Sequence, residues 1–456
     1  MLRGNKALLA PSFTTLCALL VYGLTLAPDL TWANFGTDGG ELITAAVTLG
    51  VPHPPGYPTY VLLGKLVSLI PIGTVAYRFN LFSAVCISLA AGLVTGIVRG
   101  EKETNAIAVG LSLAFAPLVW GQAVITEVYG LNLVMVALFI WALGDKRPSL
   151  LTGSLFGLCL TTHLTAVLLL PLAIGLTPRR QWWQFLLGVP LGLLPLLVIP
   201  LLAGSGSPVV WGEPATWHGW WWLVSGALYR FNLFTADWQA RLLPWSQVLL
   251  SQFTWAGLPL ILFGLFSSCS TLLSPQSPPR GREGLCFAPR LLFITAFLYF
   301  LYALTYNTTD AIVLLLPAIL LLSLLLAPGL RRLGRYALLL PLISLLLNFE
   351  GQNMRKAQTI RPLASQHLQA APPDAILFMS GEGSLFALWY FQHVEGQRPD
   401  LILLDENLFA FDWRRRQLQN QYPDVAWPET YDLEAVIREA ERPICYLELL
   451  NEMSCQ

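Results

Sequence analysis

Thr37–Pro58 reads TDGGELITAAVTLGVPHPPGYP, and how this stretch is placed decides how the rest of the chain is laid out. Two carboxylates, Asp38 and Glu41, and one imidazole, His53, sit beside an apolar helix, and Pro52, Pro54, Pro55 and Pro58 close the stretch. Titratable side chains at a membrane surface are costly to hold and by default indicate a site. Gly39 and Gly40, between the acids, allow close backbone approach. The prolines stop the helix from continuing. Functional residues concentrate on loops that a rigid scaffold holds in place.

Apolar residues make up 55% of the 456-residue chain and charged ones only 12%, against about 25% in soluble domains. Mean hydropathy is +0.59. The class is a polytopic α-helical membrane protein. Lysine plus arginine and aspartate plus glutamate number 27 each, so nothing points to nucleic acid. Arg3 and Lys6 precede the first apolar run and no small-residue cleavage pattern follows it, as expected of a retained signal anchor. The seven cysteines show no CxxC spacing. Cys17, Cys86 and Cys159 read as core fillers, and Cys445 and Cys455 could pair in an oxidising compartment.

Apolar runs recur near 8–27, 79–98, 105–122, 128–143, 149–162, 164–177, 183–203, 245–267, 290–306, 311–327 and 336–349. That gives about eleven transmembrane helices, at roughly 20 residues per span. The basic clusters Arg99/Lys102, Lys146/Arg147, Arg179/Arg180, Arg280/Arg282 and Arg331/Arg332/Arg335 all fall on the cytoplasmic side if 57–72 is interfacial or re-entrant and 149–177 is two short helices broken at His163. That layout puts the whole of 28–78 outside. It also gathers Asp38, Glu41, His53, Arg78, Glu127, His163, Asp237 and Asp310 on one face. Trp211, Trp217, Trp220, Trp221, Trp222 and Trp238 enrich the outer loop 204–244, as an aromatic belt would or as a lipid-chain or sugar-stacking groove would. The inner loop 268–289, rich in Ser, Pro and Arg, reads as flexible.

Two domains are expected: 1–349 in the membrane, with its outer loop 28–78, and an extracytoplasmic α/β domain at 350–456. In the latter, strands are expected at 375–379, 401–404 and 444–447 and helices near 383–393, 412–420 and 432–441. SGEG after the first strand lacks the GxxxxGK[ST] spacing of a phosphate loop.

There is no HExxH or HxH to suggest metal hydrolysis, and no GxSxG elbow. Charges gathered at one surface favour an enzyme working at the outer face. The alternative from another class is a non-catalytic transporter of lipid-glycan or polysaccharide, which inverted repeats with midplane charges would support. An enzyme here suits a lipid-linked donor. Arg78 in YRFN, or Arg230 in the Trp-rich loop, would hold its phosphate, and a carboxylate would take the proton of an acceptor hydroxyl. Plainer roles exist for each residue: Glu41 as a first-turn acid, His53 as a turn filler, Glu127 as an ion partner, His163 as a partner for free carbonyls and Asp310 as an N-cap.

Asp38-Gly39-Gly40-Glu41, His53-Pro54-Pro55-Gly56-Tyr57-Pro58, Thr126-Glu127-Val128-Tyr129, His163, Asp310 in YNTTD and SGEGSLFALWYFQHVEGQRPDL (380–401) together resemble a membrane family long described only as a domain of unknown function. That family is related to the protein O-mannosyltransferases of the GT-C class of glycosyltransferases, and the resemblance covers nearly the whole chain. It implies a GT-C-like helical fold in the bacterial inner or plasma membrane. It also implies a polyprenyl-phosphate-sugar donor, mannose being one candidate sugar, and an inverting transfer to a protein or glycan hydroxyl. Asp38 matches the catalytic acid of the family's first outer loop; Glu41 and His53 match positions beside it. Glu127, His163, Arg230 and Asp310 are expected around the substrate. No cofactor follows from the residues. Asp38 with Glu41 or Asp310 could share a divalent ion, and one acid with an arginine could work without one. Longer members continue into helical repeats beyond the tail domain, whereas this chain stops at Gln456.

Overall fold

A computed structural model describes residues 2–98, 102–145, 147–267, 288–448, 450 and 452–455. Arg99, Lys146, Arg280, Arg282 and most of the 268–289 loop lie outside them. The chain is an integral membrane protein built mainly of helices. Three are long and apolar enough to cross a membrane, Leu8–Thr25, Val75–Ile97 and Arg179–Ala203, or six if each of three bent pairs counts as one span. Two of the bends fall inside apolar runs expected to be continuous, and the third joins the two runs expected at 311–327 and 336–349. Run 105–122 turns by 70° ahead of Pro117, run 245–267 turns by 88° between Ser251 and Thr254, and Ala311–Leu325 meets Ala327–Asn348 at 43°. The break expected at His163 is present, between Ser149–Thr162 and a 3-10 turn at Leu164–Leu169.

The first helix has two faces. Thr14, Ala18, Tyr22 and Thr25 are fully buried, while Leu9, Phe13, Leu16, Leu20 and Leu24 are exposed. In a bilayer the exposed apolar stripe meets lipid, so helices associate through close packing rather than through the hydrophobic effect. Gly153 and Gly157 face Gly188 and Gly192 across the seam between Ser149–Thr162 and Trp182–Gly192. A Cβ at any of the four would fall within 2.2 Å of a backbone oxygen of the other helix. This is small-xxx-small packing on both sides of one interface.

The tail after Phe349 forms a four-stranded sheet of order β2-β1-β3-β4. β1 (Ile376–Ser380) lies parallel to β2 (Ile402–Asp405) and to β3 (Ile444–Glu448), and β4 (Glu452–Cys455) is antiparallel to β3. Cys445 and Cys455 form a disulfide across β3 and β4. The three expected strands are found within a residue of their expected limits; β4 and the helix Ile360–Ala370 were not foreseen. Alternation along β1 splits the sheet between two cores. Leu377 and Met379 belong to the large core that continues through the tail helices into the rest of the chain, and Ile376 and Phe378 belong to a smaller core with Leu418, Val425 and Val436 of the tail itself.

The tail is clamped onto the 28–78 loop. Arg361 donates to Asp29 of that loop and, at 2.7 and 2.5 Å, to both oxygens of Glu395. A bidentate guanidinium–carboxylate pair fixes orientation as well as distance. The Ala76 amide donates to the Tyr390 hydroxyl and the Met354 amide to the Thr25 carbonyl. Gln417 donates to the Val210 and Gly212 carbonyls of the Trp-rich loop.

Candidate active site

A cavity of about 530 Å³ is walled by Asp38, His53, Glu127, His163, Arg230 and Asp310, together with Glu382 from the tail and a set of tyrosines. Six of the eight residues expected at the site therefore converge on one space, although they are spread over more than 270 positions of sequence.

The local fold explains how Asp38 reaches it. A 3-10 segment, Ala33–Asp38, carries Asn34 and Phe35 at positive φ (54° and 69°) and turns sharply into helix Gly39–Thr48. Asp38 occupies that helix's N-cap position but makes no capping hydrogen bond, so its carboxylate is left for the cavity. The helix ends with Leu49 in the left-handed region, and the chain then pairs with the Trp-rich loop: the Val51 amide donates to Val209, and the Trp211 amide to Val51. The proline run brings His53 back over the start of the same helix.

Glu41 is wholly buried and does not line the cavity. One of its oxygens accepts from the His53 backbone amide at 3.1 Å, and the other bonds the ring Nδ1 of His53. His53 Nε2 then faces Asp38 at 3.7 Å. Tyr57, Trp211 and Tyr229 stand edge-on to the imidazole with ring centres 5.2–6.2 Å away. The three side chains form a line, Glu41–His53–Asp38, with its buried end fixed and its other end open to the cavity.

The electrostatics follow from that line. Burial alone would lower the pKa of His53, but the carboxylates of Glu41 and Asp38 outweigh it and push it up to about 10. The ring is therefore an imidazolium at neutral pH: Nδ1 donates to Glu41 and Nε2 faces Asp38 at ion-pair distance. Burial pushes Asp38 up to about 6, with the His53 charge opposing the rise and Glu41 and Asp310 adding to it. Burial, then Asp38 and Asp310, raise Glu127 well above the usual carboxylate range.

The remaining walls are held by backbone contacts. Asn80 donates to the Ala27 and Asp29 carbonyls and accepts from Thr126, which sets the Glu127 segment. One oxygen of Glu127, Oε1, is buried without a partner among the described residues. Asp310 accepts from the Tyr129 hydroxyl at 3.2 Å and makes no capping bond to the turn that follows it. Arg241 holds the 306–308 loop by its carbonyls. The plainer role open to His163 takes another form: its ring accepts from the Thr165 amide and caps the turn, rather than donating to free carbonyls. Asp237 caps helix Trp238–Ser251.

Arg78 does not reach the cavity. Its Nε, Nη1 and Nη2 donate to the carbonyls of Ile72, Ser68 and Gly73 at 2.7, 2.6 and 3.2 Å, tying off the end of helix Pro58–Ser68. Each of its three nitrogens donates to backbone and the side chain does not line the cavity, so the phosphate-holding role expected of it does not fit this geometry. Among the described residues Arg230 is the arginine on the cavity wall; it is exposed, and its Nη2 donates to Ser225 at 2.9 Å. Among the described residues no three His, Cys, Asp or Glu side chains come together closely enough to hold a metal ion. The tyrosines and Glu382 escaped the sequence reading. SGEG was the visible signal for Glu382, but its place in a second domain gave no reason to put it beside Asp38.

The architecture is that of the GT-C membrane glycosyltransferases. The crystal structure of ArnT from Cupriavidus metallidurans, bound to undecaprenyl phosphate, superposes with a TM-score of 0.57 at 12% identity, over 88% of this chain and 90% of ArnT. Within that class the chain is related to the protein O-mannosyl-transferases. The family model "Protein O-mannosyl-transferase TMEM260 N-terminal domain" matches residues 38–185, and "TMEM260-associated domain 2" matches 360–439. The mouse Protein O-mannosyl-transferase TMEM260 is 28% identical over 475 residues, 94% of this chain and 66% of the mouse protein. The Dictyostelium discoideum protein of the same name is 31% identical over 127 residues, 27% of this chain and 15% of that protein. The chain thus spans under two thirds of the length of either relative.

Proposed function

We propose that the protein transfers a sugar, mannose by analogy with its relatives' name, from a polyprenyl-phosphate donor to a hydroxyl of a polypeptide on the extracytoplasmic face. The observation that carries this reading is the Glu41–His53–Asp38 line ending in a cavity that Arg230 shares. Asp38 is the general base. With a pKa of about 6 it is mostly ionised at neutral pH yet basic enough to accept a proton, the compromise general-base catalysis favours.

In the transfer, the acceptor oxygen bonds to the anomeric carbon as its proton passes to Asp38. The bond from that carbon to the phosphate oxygen breaks, and the polyprenyl phosphate leaves with the electron pair. Arg230 faces the developing phosphate charge, where a guanidinium can bind two oxygens at once. His53 does not touch the reacting atoms; it keeps Asp38 oriented and ionised. Asp310, Glu127 and His163 line the part of the wall built from helix ends and are the groups placed to meet the sugar hydroxyls. ArnT's undecaprenyl phosphate supports a lipid-phosphate donor by likeness of fold.

Purified protein supplied with polyprenyl-phosphate mannose and a polypeptide acceptor should form mannosyl-polypeptide and free polyprenyl phosphate in equal amounts. Movement of lipid-linked sugar across vesicles with no turnover would overturn the reading in favour of a transporter.

A further inference from the structure

Among the described residues, Glu382 is the cavity's one wall residue from the C-terminal domain. It opens helix Glu382–Trp389, whose Phe386 carbonyl lies over Gly40, two residues from Asp38. The carboxylate is thus tied rigidly to the loop that carries the proposed base. Its side chain is open to the cavity, and among the described residues it accepts no hydrogen bond and makes no ion pair. A carboxylate set in a cavity wall with no partner of its own is available to a ligand.

Its position along the cavity indicates which ligand. The cavity wall draws on two parts of the chain, and each makes one flank. One flank, with Glu127, Asp310 and His163, is built from the ends of apolar helices. The other, Glu382, belongs to a polar domain. A lipid-linked donor comes from the helix side, which leaves the Glu382 side to a water-borne acceptor.

We infer that Glu382 is the acceptor-side positioning residue: it accepts a hydrogen bond from an amide N–H of a hydroxyl-bearing polypeptide and so presents the hydroxyl to Asp38. This rests on the transferase reading above.

The test is the partition of the donor sugar between water and a random hexapeptide library containing one Thr, with purified full-length protein and polyprenyl-phosphate mannose. A ratio of two products from one enzyme is independent of how much protein is folded. Glu382→Ala should lower the peptide-to-water ratio roughly tenfold, as loss of a hydrogen bond to a charged group would. Glu382→Gln, which keeps an accepting oxygen, should recover part of it. An unchanged ratio in both variants overturns the inference, as does wild-type transfer to an added oligomannoside but not to the peptides. If wild-type protein releases no sugar from the donor under any condition, the transferase reading falls, and this inference with it.

Discussion

The backbone oxygen of Phe386 lies where a Cβ on Gly40 would come within 2.2 Å of it. A residue of the C-terminal domain thus sits directly on the helix that follows Asp38, and only a glycine lets it approach. The second Gly of Asp38-Gly39-Gly40-Glu41 is therefore a seat for the tail.

Gly40→Ala should loosen that seat. Overpacking a close backbone contact costs about 1–3 kcal/mol. Because the contact joins the two parts, the tail should become susceptible to limited proteolysis at lower temperature than the helices. A melting curve and a digestion pattern indistinguishable from wild type would show that the tail docks without this contact.

Asp38→Asn keeps the size of the side chain but cannot take a proton. Turnover should fall about a hundred- to ten-thousand-fold, with the apparent affinity for donor little changed. Glu41→Gln should cost less, because Glu41 acts through His53. Steady-state assays of both variants in detergent decide the order; if Glu41→Gln is the more damaging, the base has been misassigned.

The pH–rate profile should have an acid limb near the Asp38 value of about 6, since protonating the base stops the reaction. The His53 charge lowers the Asp38 pKa, so His53→Gln should move that limb to higher pH. Stability has a separate dependence. His53 is raised from 6.5 in the unfolded chain to about 10 in the fold. Its stabilising contribution is thus fully present below 6.5 and is lost as pH rises through 10. Melting temperature should decline between those limits, and the decline should flatten in His53→Gln.

Arg230 and Arg78 should separate cleanly. Arg230→Lys keeps the charge but loses the planar fork, so the donor KM should rise roughly tenfold with the fold intact. Arg78→Lys should leave the donor KM alone and lower thermal stability by about 1 kcal/mol as carbonyls lose their donor. Titrating the lipid-linked donor against both variants, with melting curves alongside, checks the assignment.

Cysteines introduced at Pro71 and Asn420, both exposed, should react with an impermeant reagent from the same, outer side of the membrane. Protection of either in intact spheroplasts would break the one-sided arrangement on which an extracytoplasmic reaction depends.

Much of this was legible in the residues. Hydropathy marks helices because bilayer thickness imposes a length on them, and short apolar runs between helical segments mark the tail's three strands. The break at His163 follows from keeping the basic clusters on one side, and the Asp38–His53 stretch stands out by its acids and prolines. The bends ahead of Pro117 and at Gln252–Phe253, the Gly153/Gly157–Gly188/Gly192 seam and the demotion of Arg78 do not show in this way. The seam needs two helices to meet, and the place of Arg78 depends on how the chain folds back between Ser68 and Gly73. For Arg78 the deciding fact is that three carbonyls at a helix end took its donors before any ligand could. The acids of the first loop were visible as titratable groups out of place in an apolar chain, a property of composition and spacing alone. Which of them faces a substrate was decided by packing: Glu41 is sealed in to hold His53, Asp38 is left open because it caps nothing, and Glu382 joins them because Gly40 lets a second domain close over the loop.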